Sequence, residues 1–97
     1  MPQDSNSRRI HFVVTGEVQG VGFRMATRNK AIALGLSGFV QNRADGSVEG
    51  EAEGPVAELA TFSLWLHRGP PLAHVARVEV EDVPPVAPED APFEVRR

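Results

Sequence analysis

The sequence predicts a single α+β domain with the element order strand, helix, strand, strand, helix, strand. Apolar residues alternate with other residues in the segments assigned to strands, and they recur every three or four residues in the two segments assigned to helices. Gly or Pro residues separate these segments. The chain has 97 residues and a mass of 10.5 kDa, which is enough for one hydrophobic core but not for two.

The first predicted strand covers Arg9–Val18, because the alternate residues Ile10, Phe12 and Val14 form one apolar face. A glycine-rich segment follows, and at Phe23 the periodicity becomes that of a helix. The inward face of this helix consists of Phe23, Thr27, Ala31 and Leu34. Gly35 is a typical residue at a helix C-terminus, so the first helix is expected to end there.

Two further strands are predicted as a hairpin. The first covers Leu36–Asn42, and Asp45-Gly46 is a dipeptide that tight hairpin turns favour. In the return strand, one face consists of Val48, Gly50 and Ala52, and the other of Glu49, Glu51 and Glu53. We expect the first set to point inward and the three carboxylates to lie on a solvated surface without a metal ion.

A second helix is predicted to start after Gly54-Pro55 and to run to about His67. Its buried stripe consists of Leu59, Phe62 and Leu66, with Trp65 beside it. The next strand, His74–Asp82, is expected to place Ala76, Val78 and Val80 on its inner face. Half of the eight prolines fall between Pro84 and Pro92, which predicts an extended connector before a short edge strand over Phe93–Arg96.

This element order is that of the ferredoxin-like βαββαβ fold: an antiparallel sheet with two helices on one face, and here a short fifth strand at an edge. We expect residues 1–8 to be a disordered N-terminal tail and residues 9–97 to be the domain.

Composition and charge exclude several classes of function. The chain has no Cys, which rules out disulfides, thiolate zinc sites and cysteine nucleophiles. Its three His residues are scattered, so we expect no metal and no cofactor. The formal charge of -3 disfavours binding to nucleic acid through bulk electrostatics. No apolar run is long enough for a membrane span and the first residues are polar, so we expect a cytoplasmic protein without a membrane partner. We also expect the protein to be a monomer.

The predicted topology brings two polar segments to the same edge of the sheet. The first helix returns the chain between strands one and two, so these strands point the same way, with a third strand between them. Their axes then lie roughly 10 Å apart, twice the spacing of neighbouring strands. The loop Gln19–Arg24 follows the first strand and Asn42 ends the second. We therefore expect the loop and Asn42 to meet.

Residue types in this loop point to phosphate chemistry. A glycine-rich turn that opens a helix presents backbone N–H groups to an anion, and Arg24 adds a positive charge with paired donors. Asn42 can orient a water molecule but cannot deprotonate it strongly. Because no strong base, metal or nucleophile is provided, the leaving group must be a stable anion. An acyl phosphate meets this condition, since it leaves as a carboxylate.

The strings Gly16-Glu-Val-Gln-Gly-Val-Gly-Phe-Arg24 and Gly38-Phe-Val-Gln-Asn42, followed by Asp45-Gly46, resemble the acylphosphatase family over about residues 9–97. The resemblance implies metal-free hydrolysis of the carboxyl–phosphate bond of small acyl phosphates. It implies that Asn42 holds the attacking water and that the substrate phosphate accepts the proton of this water. It assigns phosphate binding to Gln19, Gly20, Val21, Gly22, Phe23 and Arg24.

This sequence departs from the family pattern at three positions near the site. Met25 stands where members often carry an aromatic residue, Phe39 stands where Trp is common, and Arg43 stands where a small hydroxyl residue often follows the Asn. None of these departures removes an atom that the mechanism uses. Arg43 either alters substrate preference or adds a second phosphate contact.

Two alternative functions fit the predicted fold, which by itself determines no function. One is a nucleic-acid-binding module, although the strand over residues 48–53 offers carboxylates instead of the aromatic residues on which bases stack. The other is an acylphosphatase-like phosphate-binding or carbamoyl-phosphate-handling module, which resembles the front part of larger maturation proteins. Those proteins continue well beyond the length of this chain.

Overall fold

The computed structural model describes residues 7–86 and 91–97 and contains every predicted helix and strand. The strands are β1 (Ser7–Glu17), β2 (Ser37–Asn42), β3 (Val48–Pro55), β4 (His74–Val83) and β5 (Phe93–Arg96), and the helices are α1 (Phe23–Ala33) and α2 (Val56–Arg68). Neither helix in the described part of the chain is long and apolar enough to span a bilayer.

The five strands form one sheet in the order β4-β1-β3-β2-β5. As predicted, β3 lies between β1 and β2 and is antiparallel to both. The sheet is antiparallel as predicted except at the edge formed by the fifth strand, where β5 pairs with β2 in parallel. The chain enters β5 from the end of the sheet where β4 finishes, and this fixes the direction of β5.

Both helices pack on the same face of the sheet. The core joins inward residues of β1, β2 and β3 to Phe23 and Ala31 of α1 and to Leu59, Phe62 and Leu66 of α2. The ring of Phe62 meets the ring of Phe12 edge-on at a centroid distance of 5.4 Å. Burial of several large apolar side chains, at about 1.5–3 kcal/mol each, is the main stabilising contribution to such a domain.

Glycines end one element and bend another. At the end of α1, Gly35 has φ 73, and the N–H of Leu36 donates to the carbonyl of Ala31, which is the bonding of a Schellman motif. Gly16 has φ 125, and a Cβ there would lie 2.2 Å from the carbonyl oxygen of His74. Only glycine fits that position.

The prediction for the inner face of β4 is wrong at Ala76. A register shift next to Gly16 pairs Thr15 with Arg77 but Gly16 with Val75, so Val75 packs against the core and Ala76 is exposed. Val78 packs against the core as predicted. Val80 pairs with Phe12 and shares its face, but it remains 44 % exposed at the edge of the sheet.

The outer face of the sheet is not the solvated acidic surface that was predicted. Arg9 is only 6 % exposed, and its guanidinium pairs with Glu51 at 2.6 Å and with Glu53 at 2.9 Å. Burial acts to lower the pKa of Arg9, but the hydrogen bonds to Glu51 and Glu53 outweigh it and raise the pKa. A hydrogen bond with His11 holds the pKa of Glu49 below its usual range.

The segment after β4 covers part of this outer face. The backbone N–H of Val86 donates to Glu53 Oε1 at 3.1 Å, so the chain crosses towards β5 beside the buried ion pairs. The predicted connector lies partly outside the described residues, which omit 87–90. Of the predicted tail, residues 1–6 also lie outside the described part, whereas Ser7 and Arg8 belong to β1.

We expect Arg9→Met to lower the free energy of unfolding by about 3 kcal/mol, because it leaves two partly buried carboxylates without their cation. Arg8→Met is the matched control. Arg8 is exposed and pairs with Asp82 at 4.0 Å, so its loss should cost less than about 1 kcal/mol. Urea unfolding of both variants measures the difference, and equal costs would show that burial of the Arg9 ion pairs is unimportant.

Candidate active site

The loop between β1 and α1 leaves a series of backbone N–H groups without acceptors in the described part of the chain. Gly20 and Gly22 have φ 77 and φ 78, a left-handed conformation that glycine adopts without strain. No side chain of the described residues caps α1, and the first backbone bond of the helix runs from the N–H of Ala26 to the carbonyl of Gly22. Within residues 7–86 and 91–97, the N–H groups of residues 19–25 therefore have no protein acceptor.

This loop borders a small cavity of about 170 Å³ at the end of the sheet. The cavity joins the loop, the start of α1, the end of β2 and strand β5. Its lining residues are Val18, Gly20, Gly22, Phe23, Arg24, Met25, Asn42 and Val95. The helix dipole of α1 adds partial positive charge at this point.

The cavity brings together most of the residues that the sequence singles out. Five of them line it: Gly20, Gly22, Phe23, Arg24 and Asn42. Gln19 and Val21 do not line the cavity. The Gln19 side chain donates hydrogen bonds to the turn after β2, at residues 43 and 47. Val21 packs against the hydrophobic core.

Arg24 is half-buried and is oriented by strand β5. Its Nη1 donates to the backbone carbonyl of Arg96 at 2.9 Å, and the Arg96 guanidinium lies 4.0 Å from the centroid of the Phe39 ring. No carboxylate of the described residues pairs with Arg24. Because a guanidinium has five N–H donors, Arg24 keeps most of them for an anion in the cavity.

Asn42 ends β2 next to a tightly bonded turn. The N–H of Arg43 donates to the carbonyl of Ser47 at 2.8 Å. Ser47 Oγ donates to Asp45 Oδ1 at 2.6 Å, and this hydrogen bond lowers the pKa of Asp45. The predicted Asp-Gly turn is therefore present, with Gly46 at φ 95. The Asn42 side chain has no hydrogen-bond partner in the described part of the protein.

Gln19 ties the loop to this turn. Its Nε2 donates to the carbonyl of Arg43 at 2.8 Å and to the carbonyl of Ser47 at 2.9 Å. The loop and Asn42 form two sides of the cavity, and the Gln19 side chain thereby fixes the position of one relative to the other. Sequence reasoning gave Gln19 a backbone role only, because no local pattern connects residue 19 with residues 43–47.

One side of the cavity is apolar. Met25, 51 % exposed, and Val95 both line it, and the Met25 sulfur accepts from Arg28 Nη1 at 3.2 Å. Sequence reasoning missed Val18 and Val95 as lining residues. Val95 reaches the cavity only because β5 pairs in parallel with β2, a pairing that no nearby residue signals.

Among the residues that the structure describes, Arg24 is the only ionisable one in the lining, so these residues supply donors and positive charge but no acid or base. Among residues 7–86 and 91–97, no three His, Asp or Glu side chains are grouped as metal ligands would be. Such a site can bind and orient a tetrahedral anion, and it stabilises charge that develops on the oxygens of that anion.

The fold and cavity define a ferredoxin-like α+β domain in which a cavity lies at the start of a helix. Comparison with known proteins narrows this class. The acylphosphatase family profile matches residues 10–95. An acylphosphatase of Cupriavidus pinatubonensis is 52 % identical over 71 residues, which cover 73 % of this chain and 79 % of that protein. The chain belongs to the acylphosphatase family.

Solved structures agree with this assignment. The structure of an acylphosphatase from Coxiella burnetii has a TM-score of 0.90 and 40 % identity, and the match covers 99 % of this chain and 100 % of that one. The crystal structure of T. kodakarensis HypF is similar with a TM-score of 0.79 and 32 % identity. That match covers 93 % of this chain but only 12 % of HypF.

We expect Gln19→Ala to lower both stability and turnover of an acyl phosphate. The variant loses two hydrogen bonds, at about 1–2 kcal/mol in total, and frees the loop to move relative to Asn42. Gln41→Ala is the matched control, because Gln41 precedes Asn42 but donates to Glu49 on the outer face. Urea unfolding and steady-state kinetics measure the two effects. An unchanged kcat in the Gln19 variant would show that this bond positions nothing in the cavity.

Proposed function

We propose that this protein hydrolyses the carboxyl–phosphate bond of small acyl phosphates, giving a carboxylate and inorganic phosphate without a metal ion. Arg24 and the loop N–H groups of Gln19 to Phe23 hold the phosphoryl group, and Asn42 holds the attacking water. The observation that carries this proposal is the shared cavity, which Gly20, Gly22, Arg24 and Asn42 all line.

The charge of the cavity supports phosphate as the bound group. A phosphoryl group in transfer carries its charge on three equatorial oxygens, which need several donors at once. The loop offers N–H groups that have no acceptor among the described residues, and Arg24 adds a planar pair of donors. Such donors are in place before the substrate arrives, so little reorganisation is needed during the reaction.

The absence of a general base in the lining supports an acyl phosphate over a phosphate monoester. An alkoxide leaving group needs protonation, a metal ion or a covalent intermediate. A carboxylate is stable at neutral pH and leaves without such help. The Asn42 amide can accept from and donate to a water molecule, and the substrate phosphate then takes the proton of that water.

The acyl group is expected to lie against Met25 and Val95, because these side chains form the apolar side of the cavity. This favours an aromatic or aliphatic acyl group over a small polar one. A carbamoyl-phosphate-handling module is the second candidate, because the sequence also resembles the front part of larger maturation proteins. The match to T. kodakarensis HypF, which covers 93 % of this chain but 12 % of HypF, is consistent with a module of a larger protein. The two candidates differ in which substrate is turned over faster.

We further propose that the protein acts as a monomer in the cytoplasm. One chain contributes the loop, Asn42 and Val95 to the cavity, so the site needs no residue of a second copy. Acyl phosphates are multiply charged and do not cross bilayers readily, so the enzyme must share the compartment in which they form. A nucleic-acid role is disfavoured by the carboxylates at residues 49, 51 and 53 on the outer face of the sheet.

We expect the protein to hydrolyse benzoyl phosphate in the presence of excess EDTA at the rate seen without it, because Arg24 and backbone donors neutralise the phosphate charge. A parallel assay uses carbamoyl phosphate, which should be turned over more slowly. Strict dependence on added Mg²⁺ would contradict the mechanism. Preferential turnover of carbamoyl phosphate would support the second candidate.

Substitutions at Arg24 and Asn42 should separate binding from chemistry. Arg24→Ala should abolish detectable phosphate binding and lower kcat/KM by more than about 10³, since loss of one preorganised donor alone costs about 10² to 10³. Asn42→Ala should lower kcat by about 10² while phosphate affinity stays unchanged. Isothermal titration with inorganic phosphate and steady-state kinetics give both quantities.

Arg28→Ala is the control for Arg24, because Arg28 lies one turn further along α1 and does not line the cavity. Its kcat/KM should change by no more than about twofold, as expected for an exposed charge. If Asn42→Ala weakened phosphate binding as much as turnover, the role of Asn42 in holding water would be wrong.

A further inference from the structure

The two helices carry a net positive charge, although the chain as a whole is acidic. Helix α1 contains three basic residues and no acidic one, and α2 contains one arginine and one glutamate. Strand β3, in contrast, contains three glutamates and no basic residue. Within residues 7–86 and 91–97, Lys30 of α1 and Arg68 of α2 form no ion pair.

These two cations line the same groove between the helices. The groove has a volume of about 750 Å³ and continues along the loop after α2. Its walls are apolar apart from Lys30 and Arg68, and they include Ala26, Trp65, Pro70 and Pro71. Trp65 is half-buried, so its indole packs against the protein on one side and borders the groove on another.

We propose that this groove is a second ligand site, separate from the catalytic cavity, and that it binds a nucleoside polyphosphate. Two unpaired cations on facing helices match a ligand with several negative charges. The apolar walls and the indole of Trp65 match a flat ring, which stacks well on aromatic side chains. Small-molecule sites commonly have volumes of about 300–1,000 Å³, and this groove lies within that range.

The groove and the catalytic cavity share no lining residue, yet they are neighbours. The Trp65 ring packs on the Phe23 ring at a centroid distance of 5.9 Å, and Phe23 opens α1 at the phosphate loop. A ligand in the groove is therefore expected to bind while phosphate occupies the cavity.

Trp65 offers a direct readout of the groove. It is the only tryptophan in the chain, which contains no tyrosine, so intrinsic fluorescence reports on this position. We expect ATP, titrated in EDTA with saturating inorganic phosphate, to change Trp65 fluorescence with a single saturable transition. Excitation at the red edge of indole absorption avoids absorption by the purine, and isothermal titration calorimetry gives the same Kd independently.

Variants separate the groove from the cavity. Lys30→Gln and Arg68→Gln should each weaken ATP binding by about tenfold, the usual consequence of losing one charge-assisted hydrogen bond. Arg28→Gln removes an unpaired cation from the same helix outside the groove, and Arg24→Ala removes the cation of the catalytic cavity. Both should leave the Kd for ATP within about twofold of the parent value.

A structural role for the two cations gives a different result. Lys30 and Arg68 lie in the last turns of their helices, where positive charge stabilises the helix end. If that were their only role, both variants would lower Tm, and ATP would not bind in the groove of any variant. Thermal unfolding of each variant, followed by circular dichroism, distinguishes this outcome from a loss of affinity in a protein of unchanged Tm.

Tripolyphosphate tests the need for a ring, because it carries similar charge but nothing to stack on Trp65. We expect it to bind at least about tenfold more weakly than ATP. Equal binding of the two anions would overturn the proposed ligand class. Failure of ATP to bind, displacement of ATP by inorganic phosphate, or loss of binding in Arg24→Ala would overturn the site itself.

Discussion

The central constraint on this structure is that the backbone N–H groups of residues 19–25 have no acceptor within the described protein. Unsatisfied donors are costly when they are removed from water, so a protein retains them where a ligand or solvent can accept. The left-handed glycines Gly20 and Gly22 make this conformation accessible to the backbone. The dipole of α1 and the cation of Arg24 act at the same point, so the loop favours an anion in a chain of net negative charge.

The rest of the fold holds this loop in place. The Phe23 side chain is buried against Trp65, the carbonyl of Arg96 orients Arg24, and Gln19 joins the loop to the turn after Asn42. No carboxylate of residues 7–86 and 91–97 lines the cavity. Those of β3 lie on the outer face of the sheet, where Arg9 and His11 pair with them. The helices thus carry a net positive charge, whereas the carboxylates of β3 lie on the opposite face of the sheet.

Local sequence patterns predict most of this fold, because each strand and helix carries its own periodicity. Gly20, Gly22, Arg24 and Asn42 could be placed at one edge from the element order alone. The errors arise where the structure depends on contacts between distant residues. Because of the register shift at Gly16, Val75 packs against the core in the place predicted for Ala76. The burial of Arg9 depends on two glutamates more than forty positions away. The parallel pairing of β5, which brings Val95 to the cavity, leaves no local signal.

A crystal structure of the protein with inorganic phosphate tests the central claim most directly. The account predicts a tetrahedral ion in the cavity, within hydrogen-bond distance of loop N–H groups and of the Arg24 guanidinium, with the Asn42 amide facing it. A cavity without the ion at saturating phosphate, or an ion that contacts Arg24 but none of the loop N–H groups, would contradict it.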